Sequence, residues 1–215
     1  MKNYFYSFIL LLLSVLVVSC ATNSYKNLHA TETKTIDSTL LRVLFKNTNP
    51  APLYKTDVTL YGKKFGGLLL VKYMPDSSYR IVFTNETGVK FFDMEWKHEK
   101  FTVHYCMDKF NRDAVLTTIA SDIKLVITEY KQAKTAAVLA DATTEFKIYK
   151  FNSDNVQEYY FCNASNNELS KIEQAEGKKK KVIVNLSTYK NLIPSLITIE
   201  HKNIRLKIEL HLLER

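Results

Sequence analysis

Glycine is scarce, at five in 215 residues, which leaves little backbone able to approach a bound phosphate closely. No phosphate loop, dinucleotide fingerprint, Gly-x-Ser-x-Gly elbow or His-Glu-x-x-His motif occurs, so the usual signatures of nucleotide, serine-hydrolase and zinc-protease chemistry are missing. The five histidines, His29, His98, His104, His201 and His211, have no spacing that suits a metal. No metal and no cofactor are expected. Asp93 and Glu95 fall on one strand face, and His104 shares a face with Thr102 and Cys106. Such spacings are commonplace on solvent-facing strands, and no oxyanion partner accompanies the thiol. A non-catalytic protein is expected. Long apolar runs are lacking too, since none reaches the roughly 20 residues that a membrane-crossing helix needs.

What is present begins at the N-terminus. Lys2 precedes an apolar stretch from Phe8 to Val18, and small Ser19 stands before Cys20. This is the layout of a removable export signal. The segment Val17-Val18-Ser19-Cys20 resembles the lipobox of bacterial lipoproteins, in which the cysteine takes a diacylglycerol thioether and becomes the new N-terminus. The expected organisation is a signal peptide over 1–19, a lipidated (palmitate-type) flexible tether over 20–38 and one domain over 39–215. The tether is polar and without periodicity, and stretched out it would reach about 60 Å at roughly 3.3 Å per residue.

Thirty Lys and Arg against 22 Asp and Glu leave a formal charge of +8. Export makes nucleic acid an unsuitable partner and leaves solubility or an anionic membrane surface. The sharpest basic run, Lys178-Lys179-Lys180-Lys181 after Gly177, fits a solvated hairpin tip or a contact with acidic lipid headgroups. With Cys20 acylated, Cys106 and Cys162 remain, either bridged or as two buried thiols.

The body reads as β structure. Leu41, Val43 and Phe45 alternate with their neighbours, followed by Val58 and Leu60, the run Leu68 to Val71, and segments at 79–84, 89–96 and 101–107 with short gaps. Gaps this short demand antiparallel hairpins. Val115, Leu116, Ile119, Ile123, Val126 and Ile127 then recur at helical spacing, with Asn111 or Asp113 as a cap. Strands resume at 145–151, 156–162, 169–174 and 181–186, and a loop with Pro194 leads to two more. The expected fold is mainly β with few helices (α+β), a strongly curved antiparallel sheet of about 10–11 strands covered by one amphipathic helix. Such a sheet encloses either a filled core or an apolar cavity, and 13 Tyr and 12 Phe suit both.

The segment Tyr79-Arg80-Ile81-Val82-Phe83-Thr84-Asn85-Glu86-Thr87-Gly88 resembles a strand, turn and strand of the LolB-like outer-membrane lipoproteins, within the LolA/LolB lipoprotein-localisation superfamily. The approach through Gly66 to Lys72, the helix after Asn111 and the Pro194 to Leu212 end are similar as well. The resemblance implies an unclosed half-barrel with an apolar cavity that binds lipid or lipoprotein acyl chains, without catalysis. It also implies possible exchange with a soluble periplasmic LolA-like carrier. Cavity candidates are Leu68, Leu70, Ile81, Phe83, Phe91, Val103, Ile119 and Ile123, with strand parity open to a one-residue error. Where the family carries an exposed leucine for membrane insertion, this chain has Thr87, and Met74 in the neighbouring turn is the other candidate tip. Ala21 after Cys20, with no acidic residue before Glu32, implies an outer-membrane anchor facing the periplasm. A non-catalytic docking lipoprotein with a filled hollow is the alternative.

Overall fold

The computed structural model describes residues 25–46, 48–140, 145–153 and 155–214. The expected signal peptide and Cys20 lie outside the described residues. Strands β1 (His29–Thr35), β2 (Leu53–Leu60), β3 (Lys63–Tyr73), β4 (Tyr79–Thr84), β5 (Lys90–Lys97) and β6 (Lys100–Cys106) precede helix α1 (Asp113–Val126). After it come β7 (Thr135–Ala140), β8 (Phe146–Ser153), β9 (Val156–Asn163), β10 (Leu169–Glu176), β11 (Lys179–Lys190), β12 (Ile193–His201) and β13 (Leu206–Leu212). All thirteen join one antiparallel sheet in the order β1-β7-β8-β9-β10-β11-β12-β13-β2-β3-β4-β5-β6. The sheet is not closed, and β1 and β6 are its edges. It is the expected half-barrel, with more strands than the 10–11 that the hairpin spacing suggested.

One face of the alternation is buried along almost every strand. In β4, Tyr79, Ile81 and Phe83 are buried and their neighbours are not. Across the register Ile81 meets Val71 and Met94, and Phe83 meets Leu69 and Phe92. These side chains line the concave face and merge into one core with Val182, Val184 and Leu186 of β11 and Ile197 and Ile199 of β12. Burying aliphatic and aromatic side chains at about 1.5–3 kcal/mol each is what curls the sheet around its contents.

Helix α1 starts after a 3-10 turn at Asp108–Phe110 rather than with a side-chain cap at Asn111 or Asp113. Asp113 in its first turn and Lys124 in its last complement the helix dipole. Ala120, Leu125 and Val126 are buried, and Ile119 and Ile123 pack against the core. The Tyr160 hydroxyl donates to the Leu125 carbonyl at 3.1 Å, satisfying a group that the helix end leaves open.

Two expectations fail in this region. The alternation at Leu41, Val43 and Phe45 is not a strand. Instead Leu41, Leu44 and Phe45, with Ile36, are 0–5 % exposed and plug the hollow. The Leu44 amide donates to the Thr128 hydroxyl at 2.9 Å, and that hydroxyl donates to the Arg42 carbonyl at 2.7 Å, tying the plug to the chain just beyond α1. Inside the expected tether, His29–Thr35 forms β1 against β7. All seven of its residues are exposed, so edge pairing alone holds them in place.

Gly67 explains the glycine pair in β3. A Cβ there would lie 2.1 Å from the Thr84 carbonyl oxygen, so β3 and β4 approach too closely for any side chain. On the convex face, a second, smaller cluster joins Leu139, Ile148, Tyr159, Phe161 and Ala175, and Tyr25 and Leu28 pack onto it.

Candidate groove between helix α1 and the β5–β6 edge

The centre of the hollow is plugged, and an opening remains beside it on the concave side. A groove of about 500 Å³ runs between α1 and the edge pair β5–β6. Its apolar wall is Trp96, Phe101, Val103, Leu116 and Ala120, and Asp113, Thr117, Ser121 and Lys124 form the polar part of the lining. The strand residues reach it because β5 and β6 alternate at the free edge, where no further strand covers them. On the helix, positions 113, 116, 117, 120, 121 and 124 repeat every three or four residues and so share one face. Trp96 packs against Phe101 and Tyr130 at tilted angles, with ring centroids 5.3 and 5.9 Å away. The Lys124 ammonium sits 5.3 Å from the Trp96 ring centroid. The result is an apolar slot with a cation at one side, of a size typical of small-ligand sites.

The cavity candidates divide. Ile81 and Phe83 point into the core, and Val103, 36 % exposed, lines the groove. Phe91 is half-buried beside a bulge in β5, its ring 5.2 Å from that of Phe83. Ile119 and Ile123 face the sheet rather than the groove, whose helical wall is Leu116 and Ala120. Leu68 and Leu70 lie on the convex face. They pair with Thr84 and Val82, while the core takes Leu69 and Val71. A run of four apolar residues hides its parity, and the structure selects the other pair.

Thr87 is exposed in the β4–β5 turn, where the Asn85 side-chain oxygen accepts from its amide and hydroxyl and from the Val89 amide. The exposed apolar residue of that turn is Val89. Met74 is half-buried, its amide donating to the Ser78 carbonyl at 2.8 Å. Cys106 and Cys162 are free thiols, so the possible bridge is not formed. They sit on β6 and β9, which are far apart in the strand order. Burial pushes the Cys162 thiol up to about 12.

Asp93 and Glu95 belong to a convex-face ion network. Arg80 pairs with both, Lys90 reaches Asp93 at 2.7 Å, and His104 meets Glu95 at 2.8 Å. Burial raises the Asp93 carboxyl, but the bonds from Arg80 and Lys90 outweigh it and hold the group below the usual carboxylate range. An acid held ionised cannot donate a proton. Among the described residues no cluster of His, Cys, Asp and Glu could hold a metal, and no helix is long and apolar enough to cross a membrane.

Sequence reasoning missed the plug, Trp96, Phe101, and the Asp122–His201 contact beneath α1. Leu41, Leu44 and Phe45 carried the usable signal, because spacings of three and four do not suit a strand.

No protein-family model matches the chain, and no curated protein matches it in sequence. In structure it is similar to a LolA superfamily protein from Nitrosomonas europaea, with a TM-score of 0.54 and 8 % identity over 80 % of this chain and 87 % of that one. A DUF1329 family protein from Desulfovibrio piger aligns with a TM-score of 0.46 at 7 % identity, over 77 % of this chain and 85 % of its own. A domain from Vibrio parahaemolyticus, described as an outer membrane lipoprotein-sorting protein, aligns at 0.45 and 8 %, over 78 % and 85 %. At such identities the likeness is one of fold, and the fold is that seen in the LolA superfamily structure.

Proposed function

We propose that this chain is a LolB-like, lipid-anchored protein of the bacterial outer membrane that binds acyl chains of lipids or lipoproteins without catalysis. The observation that carries this reading is the groove itself, an apolar slot of about 500 Å³ under an amphipathic helix on a half-barrel. Cys20 supplies the anchor, and two or more acyl chains make attachment stable at about 0.8 kcal/mol per buried methylene. Thr87 itself offers no apolar side chain for insertion into a bilayer, and Val89 is the exposed apolar residue of the same turn. A soluble LolA-like carrier on the periplasmic side is the expected donor.

Trp96 is the one tryptophan of the chain and lies in the groove wall. A brominated fatty acid should therefore quench its fluorescence, and native mass spectrometry should show one acyl ligand per chain. Val103→Asp places a charge in the exposed part of the wall and should abolish both signals with the fold intact. Unquenched Trp96 and a bare mass in the wild type would sink the carrier reading.

A docking role is favoured by one specific observation, the filling of the central hollow by Ile36, Leu41, Leu44 and Phe45. Under that reading the wild type stays bare, and the half-barrel serves as a rigid surface.

A further inference from the structure

We propose that the convex face of β8–β10 is the surface this protein lays against an anionic lipid bilayer, so that the groove opens away from the membrane that anchors the chain. The inference rests on acylation of Cys20. Tyr25 is five residues beyond that cysteine, and it is not free to wander. Its ring stacks on Tyr159 with centroids 4.1 Å apart and planes within 5°. Its hydroxyl donates to Glu173 at 3.0 Å. Leu28 adds a second apolar contact to the same cluster. Five residues span at most about 18 Å at roughly 3.6 Å each, far less than the tether of 20–38 would permit. A chain pinned at Tyr25 therefore brings the outside of β8–β10 close to its own anchor.

The chemistry of that face suits anionic headgroups. Lys150, Lys171 and Lys180 surround the aromatic cluster, their ammonium groups 5.6, 3.9 and 5.5 Å from the rings of Tyr159, Phe161 and Tyr25. Glu173 is the acid at its centre, bonded by Lys171 and Lys180 at 3.0 Å each, which leaves the group net positive. Next to it, the β10–β11 turn at Gly177 presents Lys178 and Lys179 exposed. Lysines near such a surface attract phosphatidylglycerol-type headgroups additively. The groove lies on the concave side of the sheet. Cargo would then enter from the aqueous side and not from the home bilayer.

Hydrogen exchange on the acylated full chain tests this, in vesicles of phosphatidylethanolamine and phosphatidylglycerol and in neutral detergent micelles. Slower exchange in vesicles at 25–28 and 176–181, with α1 and β6 unchanged, is the expected result. Lys178→Gln with Lys179→Gln should shift the docked population by roughly thirtyfold toward the undocked state and remove that protection. Protection at the rim of Tyr61 and Val89 instead, or none anywhere, overturns the orientation. The intact mass of the same sample reports separately on Cys20. A chain without the diacylglyceryl group overturns the anchor, whereas an acylated chain without the exchange pattern overturns only the orientation.

Discussion

Nε2 of His201 lies 3.0 Å from Oδ2 of Asp122, and both side chains are buried. This contact joins the middle of α1 to the end of β12, so the helix over the hollow is held by a polar bond as well as by its apolar stripe. The other carboxylate oxygen, Oδ1, has no hydrogen-bond partner. Burial raises the Asp122 carboxyl, and the bond to His201 offsets this only in part. A carboxyl raised by folding binds more protons folded than unfolded. Its contribution to stability is therefore present at acid pH and lost as pH rises from the unfolded value through the folded one.

Asp122→Asn keeps the shape and removes the titration. Urea unfolding at a series of pH values should show the wild type gaining stability relative to Asp122→Asn as pH falls through the window above the ordinary Asp value. Near neutral pH the variant should equal or exceed the wild type. A difference that stays flat with pH would mean that folding does not raise the Asp122 carboxyl.

Gly67→Ala tests the close approach of β3 and β4. The new methyl would meet the Thr84 carbonyl, which is backbone and cannot swing aside, and also the buried Phe83 ring. Overpacking of this kind costs typically about 1–3 kcal/mol, and a lower thermal midpoint is expected. Gly62→Ala in the exposed β2–β3 turn is a contrasting case, since open space surrounds it and only its φ of 81° opposes the change.

The plug carries a sharper consequence for function. Leu44 is fully enclosed, and truncation to alanine should cost about 2–5 kcal/mol, as for other buried leucines. If acyl chains enter by displacing the plug, Leu44→Ala should also bind a fatty acid more tightly than the wild type, read by quenching of Trp96. Weaker stability with unchanged affinity would confine binding to the groove between α1 and β6.

Legibility in the sequence followed the period of the apolar pattern. The hairpins from β3 to β6 and from β8 to β11 were readable because short polar turns separate alternating segments, and α1 because its stripe repeats every three or four residues. β1 was not, since His-Ala-Thr-Glu-Thr-Lys-Thr buries nothing and is ordered only by β7. The Leu68 to Val71 run left its inward side undetermined, because apolar residues stand on both faces. Trp96 and Phe101 were legible as strand residues but not as groove walls. That role depends on β6 being an edge, and the edge follows from sheet order, which no local pattern encodes.

The two thiols should differ in reactivity by location alone. Cys162 is wholly buried on β9, and its thiol is pushed up to about 12, so almost no thiolate exists at neutral pH. Cys106 is half-buried on the edge strand, raised less by burial and by nearby Asp108, with its Sγ donating to the Met107 carbonyl at 3.6 Å. Iodoacetamide should label Cys106 slowly in the folded protein and Cys162 only after denaturation. Labelling of both thiols in denaturant should proceed without prior reductant, because no bridge joins them. If reductant proves necessary, the strands carrying them come together in a way that the half-barrel described here does not permit.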